Sequence, residues 1–412
     1  MSTPTLADAR RWDAQDPLRE FRNRFHLPAG VIYLDGNSLG ALPQATPAKV
    51  ADAVSREWGE GLIRSWNSAD WIGAPKRLGG KIARLIGARP HEVIVADSTS
   101  VNLFKLLAAG LADRPGRRVI LSEPGNFPTD LYVAQGVAAL LPGVELRTAP
   151  RERLMEAIDE DVAIVMLTHV HYKTGERFDM PAFTHAAHAK GALALWDLSH
   201  SAGAVEVDLN GAAADLAVGC GYKYLNGGPG APAFLFVAER HQGRLSSPLT
   251  GWMGHAAPFA FDDDYAAGKG VTRFLCGTPQ ILGLAALEAG LDLMLEADIT
   301  ALADKSRRLC DLFIDLVEHG CAGLGLALAT PRDASARGSH VSFAHPDGYP
   351  VMRALIERGV IGDFRAPDIL RFGFTPLYVG YEDVWNAAET LRDILESRAW
   401  DAADYRTRAA VT

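Results

Sequence analysis

Residues 196–230, WDLSHSAGAVEVDLNGAAADLAVGCGYKYLNGGPG, decide the reading of this chain. The apolar run Ala192-Leu193-Ala194-Leu195-Trp196 leads into the stretch and predicts a buried strand that stops at Asp197. A second run, Asp215-Leu216-Ala217-Val218-Gly219, predicts another strand. Just past it stands Lys223, between Tyr222 and Tyr224 and ahead of a glycine-rich turn. An acid closing one strand and a lysine just past a later one suit pyridoxal phosphate chemistry. The lysine amine can bond the cofactor aldehyde, and the acid can hold the pyridine nitrogen protonated. The pair alone also fits a helix N-cap acid and a solvated loop lysine, because α/β proteins place such residues on strand-end loops.

The bulk numbers narrow the setting. A chain of 412 residues is long for one domain and suggests two or three. A formal net charge of -9 speaks against a nucleic-acid or anionic-membrane partner. The four cysteines, Cys220, Cys276, Cys310 and Cys321, have no metal-like spacing, and a reduced, cytoplasmic compartment is expected. Cys220 reads as a small buried residue at a strand end rather than a reactive thiol. The first 20 residues are charged and lack the apolar core of a signal peptide. No run of about 18 apolar residues predicts a membrane span. His169 and His171 stand two apart, but no carboxylate or cysteine cluster lies near them in the sequence, so no metal is expected.

Moving upstream, Asp161–Leu167 predicts a buried strand ending at Thr168. Arg118–Leu121 predicts another, followed by Phe127-Pro128-Thr129-Asp130 ahead of a helix at about 131–140. Phe127 can stack on a flat ring or simply pack its loop. Glu92–Ala96 predicts a strand, and Thr99 and Ser100 open the helix after it. Hydroxyls there cap free amides, and that end of a helix also attracts phosphate. Further upstream, helices are expected at 46–60 and 75–87, with Trp66 and Trp71 between them lining a pocket or an interface. The turn Asp35–Gly40, with Asn37, follows a short strand. The first 30 residues form an arm with a helical portion around Pro17–Arg22.

Downstream, Ala231–Val237 predicts a strand, and Trp252 sits in a loop. Thr278 precedes a long helix at 281–296, and helical pattern continues over 301–319. A smaller C-terminal α/β unit follows, with strands at 340–343 and 369–374 and helices at 350–358 and 382–398. Arg371 lies inside an apolar strand pattern, where a charge is costly unless paired. It meets an internal acid or receives a substrate carboxylate, which a guanidinium binds bidentately.

The alternation of strands and helices from 92 to 237 predicts an α/β fold with a mostly parallel sheet. Its strand-end loops would converge on one edge, where open sheets bind ligands. Phosphate cup, ring-stacking aromatic, ring-nitrogen acid and lysine then occur in the chain order of the fold-type I pyridoxal phosphate enzymes, the aspartate aminotransferase superfamily, which the chain resembles. The resemblance is closest to the bacterial kynureninases. It rests on YLDGNSLG (33–40), GLIRSWN (61–67), NFPTDLY (126–132), LTHVHYKTG (167–175), WDLSHSAGAV (196–205), GCGYKYLNGGPG (219–230), RGSHVSF (337–343) and RFGFTPLY (371–378), from about residue 10 onward.

The resemblance implies a large domain over 46–280 with a seven-stranded sheet, a small domain over 281–412, and an arm over 1–45 packing on the small domain. It implies hydrolytic cleavage of L-kynurenine to anthranilate and L-alanine, in tryptophan catabolism. Lys223 would be the Schiff-base lysine, Asp197 the ring-nitrogen partner and Tyr222 a catalytic acid/base. Thr99, Ser100, Phe127, Pro128, Thr129, Asp130, Thr168 and His200 would complete the cofactor shell. Trp252 and Thr278 would reach the cofactor of a second copy, which implies a homodimer with shared sites. Arg371, Trp66 and Asn37 would bind the substrate. Thr278 and Met253, which stand where vertebrate members carry asparagine and phenylalanine, favour L-kynurenine over its 3-hydroxy derivative. A cysteine desulfurase or an aminotransferase on the same fold is the rival activity. A non-catalytic binding module of this fold could dispense with Lys223 and Arg371, yet both are present.

Overall fold

The computed structural model describes residues 4–408. Seven strands form the larger sheet: β1 (Val93–Val95), β2 (Val119–Ser122), β3 (Glu145–Thr148), β4 (Val162–Thr168), β5 (Leu193–Asp197), β6 (Leu216–Gly219) and β7 (Phe234–Val237). Their order across the sheet is β1-β7-β6-β5-β4-β2-β3. Only β7 runs against its neighbours; the pairings from β6 through β3 are all parallel. The four strands β4 to β7 are buried along their whole length. That burial explains their near-continuous apolar sequence, since helices cover both faces of a parallel sheet. Strand β3 is the exception. Its ELRT sequence is half-exposed at the sheet edge, and such a polar run carries no buried-strand signal.

Two helices matter to the site. Helix α1 (Thr99–Ala112) starts behind the N-cap Ser98, whose hydroxyl accepts from the Val101 amide at 3.4 Å. Helix α2 (Pro128–Leu140) starts with Pro128 at its first position, where a missing N–H costs nothing. Both point their N-termini out of the carboxyl end of a parallel strand, the end at which ligands bind in open α/β sheets.

A second, antiparallel sheet contains β8 (Ala327–Leu328), β9 (His340–Ala344), β10 (Asp363–Arg365) and β11 (Ile369–Gly373), in the order β8-β9-β11-β10. Its long covering helices, Ile299–Gly320 and Tyr381–Ser397, pack on each other. The chain start joins them. The arm helix occupies Leu6–Gln15, and the Pro17–Arg22 region expected to be helical forms a short 3-10 turn at Arg19–Arg24 instead. Asp13 accepts from the Tyr381 and Glu382 amides at 2.7 and 2.8 Å, so the arm caps the last long helix. The loop of residues 33–40 is tied to both sheets. Ile32–Tyr33 pairs with Val360–Ile361, Asp35 bridges Gly373, and the Gly40 amide donates to the Tyr222 carbonyl at 2.8 Å.

Candidate active site

Adjacent parallel strands bring Thr168 and Asp197 side by side, since the two are register partners at the ends of β4 and β5. Asp197 is buried and accepts from the Ser199 amide at 2.7 Å. Asp130, from the first turn of α2, is fully buried against it. Thr168 Oγ1 lies 3.1 Å from Asp130 Oδ2 and 2.5 Å from Asn126 Oδ1. Burial pushes both aspartates above the usual carboxylate range. For Asp130 the Asp197 charge adds to this, whereas the Ser199 bonds and Lys223 work to keep Asp197 ionised. Asp130 Oδ1 has no partner among the described residues. A buried acid pair with unspent hydrogen-bonding capacity suits a cationic ring nitrogen, so the chemistry of these donors fits the pyridine end of pyridoxal phosphate.

Lys223 sits in the turn just past β6 and is only 8 % exposed. Its Nζ lies 3.1 Å from His200 Nε2 and 5.7 Å from the centroids of both Phe127 and Tyr222. Burial, then the Lys223 charge, drives His200 well below its ordinary pKa, so the imidazole stays neutral and its Nε2 can accept from the lysine. The turn is fixed from behind by Gly40. A Cβ there would stand 2.3 Å from the Lys223 carbonyl, which only glycine avoids. This contact is why the 33–40 and 219–230 segments belong to one site.

The opposite end of the site is a cavity of about 240 Å³ lined by Ser98, Thr99, Cys220, Tyr222, Gly230 and Gln280, among others. Ser100 lies beside it in the first turn of α1. The amides of that turn give it the character of an anion cup. Burial raises the Tyr222 phenol, so it remains a proton donor across the neutral range. Phe127 and Tyr172 meet edge to face at 5.3 Å, with Phe127 partly exposed beside the lysine.

Not every residue singled out in the sequence joins this cluster. Trp66 packs edge-on against Trp71 and Trp252, each at 6.1 Å, and Trp252 also meets Phe259. Thr278 is exposed, before the helix Ile281–Glu296. Asn37 is fully buried, with its side chain against Gly373, so it stands away from any open surface. Arg371 meets an internal acid. Its Nε donates to Asp363 Oδ1 at 2.7 Å and its Nη2 to Asp363 Oδ2, because Asp363 is its direct register partner across β10 and β11. Asp363 thus supplies the internal acid that is one of the two expectations for Arg371, while Nη1 makes a single bond, to the Tyr172 carbonyl. Sequence reading missed Asn126, Asp363, Arg365, Ser38 and His340. Asp363 had one available signal, an acid two residues before Arg365 in a segment with no element assigned to it.

His169, next to Thr168, gives a pH prediction. It is buried, with Nδ1 2.9 Å from Ser201 Oγ, and burial lowers its pKa from 6.5 to about 3. The unfolded chain takes up this proton near its ordinary pKa and the folded chain does not. The residue's contribution is therefore complete above that pH and is lost as pH falls towards 3, at about 1.4 kcal/mol per pH unit. In H169Q the melting temperature should fall less between about pH 6.5 and 4.5 than in the parent. Parallel melting curves for the two proteins would refute the assignment.

The family-model description "Kynureninase C-terminal domain" matches residues 302–391. A kynureninase of Burkholderia mallei is 56% identical over 415 residues, covering 99% of this chain and 100% of its own length. The chain belongs to the kynureninase family. A Pseudomonas fluorescens kynureninase is 54% identical over 414 residues, with 99% and 100% covered. Among solved structures, an apo cysteine desulfurase from Thermococcus onnurineus NA1 superposes with a TM-score of 0.78 at 21% identity, over 92% of this chain and 98% of its own. A cysteine desulfurase from Escherichia coli gives 0.74 at 21% identity, with 92% and 98% covered. These two likenesses establish the fold-type I architecture; the full-length relatives distinguish the kynureninases within it.

Proposed function

We infer that this chain is a pyridoxal phosphate-dependent hydrolase that converts L-kynurenine and water to anthranilate and L-alanine. The observation that carries the site assignment is the buried Asp197–Asp130 pair set beside a buried Lys223, in a chain aligned end to end with kynureninases. Lys223 would hold the aldehyde end and Asp197 the ring nitrogen. Phe127, Pro128, Thr129, Asp130, Thr168 and His200 would surround the ring. Thr99, Ser100 and Tyr222 would take the phosphate end.

When bound, the cofactor supplies an electrophilic carbon for the substrate amine and a ring that accepts an electron pair. The freed Lys223 amine removes the proton from the substrate α-carbon. Its neutral neighbour His200 keeps a hydrogen-bond acceptor facing that amine. Tyr222 donates a proton to the γ-carbonyl oxygen while water adds to that carbon. The Cβ–Cγ bond breaks with its electron pair going to Cβ. The aryl fragment leaves as anthranilate with the water oxygen, Cβ takes one proton derived from that water to complete the alanine methyl group, and Lys223 returns to the α-carbon the proton it removed. A desulfurase would instead need a thiol on a mobile loop. Here Cys220, Cys310 and Cys321 are buried, and Cys276 is half-buried with its Sγ 3.7 Å from Asp97 Oδ2.

The same proposal includes a homodimer, to which Trp252 and Thr278 of the partner subunit would bring cofactor contacts. The exposed side chains of Trp58, Leu62, Ile63, Phe259 and Phe261 support an interface of this kind. It also includes the three-part division at about residues 45 and 280, and a cytoplasmic setting. No helix among the described residues is long and apolar enough to cross a membrane. Preference for L-kynurenine over its 3-hydroxy derivative rests on Thr278 alone, because Met253 is buried in the core with Phe274 and Leu275.

Anthranilate fluorescence on mixing the protein with L-kynurenine, with and without added pyridoxal phosphate, tests the activity. Cofactor-dependent anthranilate with an equal amount of alanine is the expected result. Absence of anthranilate from protein that shows a lysine-bound cofactor absorbance would overturn it.

A further inference from the structure

His340 opens strand β9 and is fully buried. Side chains alternate along a strand, so His340 and Ser342 share one face of the small sheet. The Ser342 hydroxyl donates to the Lys173 carbonyl, so that face lies on the loop of residues 171–175. From this position His340 meets His200, with the two ring centroids 5.5 Å apart at 58°. Two imidazoles joined by an N–H···N bond of ordinary length have centroids roughly 5–5.5 Å apart.

The hydrogen-bonding capacity between the two rings is unspent. Nδ1 of His200 and both ring nitrogens of His340 are buried without a well-formed hydrogen bond among the described residues. Burial drives both rings well below their ordinary pKa; the Lys223 charge adds to this at His200, and the Arg371 charge at His340. Each ring is therefore neutral, with one N–H to give and one bare nitrogen to receive. Buried groups of this kind are rarely left unpaired. The neighbours fix which nitrogen is which. His200 Nε2 lies 3.1 Å from Lys223 Nζ, whose amine carries the donors, so the His200 proton belongs on Nδ1. A Cβ on Gly175 would stand 3.3 Å from His340 Nε2, so that nitrogen faces the 171–175 loop. The His171 backbone there favours a proton on the His340 ring. The His171 carbonyl accepts from the Gly175 amide at 2.9 Å and keeps a second lone pair. Nδ1 is then the bare nitrogen of His340, an acceptor beside the His200 Nδ1–H.

We propose that His340 is a positioning residue for the reaction: it accepts the His200 Nδ1–H, directly or through one ordered water, and so holds the tautomer whose bare Nε2 faces Lys223. The donors then run one way, from Lys223 to His200 to His340 to the His171 carbonyl. This rests on the reading of the Lys223 cluster as the reaction centre. Without His340, the His200 proton is free to move to Nε2, where it opposes the lysine donors. The amine that moves the substrate proton then loses its orientation.

The test is nuclear magnetic resonance of isotope-labelled histidine ring nitrogens in the cofactor-loaded enzyme, because a protonated and a bare ring nitrogen resonate far apart. The parent should show His200 protonated at Nδ1 and His340 at Nε2, with the His200 signals identified by their loss in H200Q. In H340L the His200 proton should redistribute to Nε2. The kcat for L-kynurenine should fall by about 10- to 100-fold, the usual worth of a partner that orients a histidine, while KM stays within about threefold. H340Q, whose amide both gives and accepts a hydrogen bond, should keep the Nδ1 proton and most of the turnover. A histidine that only filled space would leave the His200 tautomer unmoved. A parent enzyme with His200 protonated at Nε2 overturns the proposal, and so does H340L that keeps either the parent tautomer or the parent kcat. Should H340L not fold, the parent spectrum decides: the two stated tautomers support the role, and the opposite tautomer of either ring overturns it. Failure of the parent to form anthranilate would overturn the activity reading, while the tautomers would still test His340.

Discussion

Lys223→Ala should abolish the visible absorbance of the lysine–cofactor bond and lower anthranilate formation by at least about 10³-fold. The reason lies in the position of the amine. It is buried, hydrogen-bonded to a neutral His200, and set between the Phe127 and Tyr222 rings. Lys173 stands one ring away, its Nζ 5.9 Å from the centroid of Tyr172, which meets Phe127 edge to face. Lys105 is tied to Asp97 and the Phe274 carbonyl, and Lys305 to Asp16 and the Pro376 carbonyl. Lys223→Arg should not restore turnover, since a guanidinium stays protonated and cannot act as a base or nucleophile. Truncation to alanine removes no core hydrophobe, so the folded far-ultraviolet spectrum should persist. Turnover within about tenfold of the parent, without added amine, would refute the lysine assignment.

Asp363→Ala should be the most damaging substitution for stability. It leaves Arg371 buried with its principal counter-charge gone, at a cost of about 3–5 kcal/mol. The loss should lower the melting temperature by about 5 °C or more. Asp363→Asn should lose less, because the amide oxygen still accepts from Arg371. Replacing both partners together, Asp363→Leu with Arg371→Met, should recover much of the stability, since no charge is then left unpaired. It should not recover substrate binding, because Arg371, the candidate carboxylate binder, is removed with its partner. A single Asp363→Ala variant that melts with the parent would show that the pair is held mainly by its surroundings.

The large sheet was legible because its strands are buried on both faces. Continuous apolar runs such as Val162–Leu167 and Leu193–Trp196 have few other readings when short and separated by helical pattern. The residues at or just past the strand ends, Thr168, Asp197 and Lys223, followed from the same pattern. Edge strand β3 was not legible, because a half-exposed strand need not be apolar. Strand β10 was hidden for a different reason. It is three residues long, and two of the three, Asp363 and Arg365, are charged, so it resembles a loop. The role of Arg371 depended on that strand, because only the pairing of β10 with β11 sets Asp363 opposite it.

The sequence by itself determined the parallel α/β core and the order of the candidate cofactor-binding segments along the chain, and its motifs carried the resemblance to the family. Short-range patterning controls the first two: burial writes itself into apolar runs, and strand-end loops write themselves into Gly, Asp, Ser and Thr. The tertiary structure alone decided which charges share a partner. Asp130 meets Asp197 across 67 positions of chain only because α2 docks its first turn against β5, and Arg371 shares Ser38 with Arg365 only because the residue 33–40 loop crosses to the small sheet. Coulomb energies depend on distance and burial in space, and neither is written in the spacing of residues along a chain.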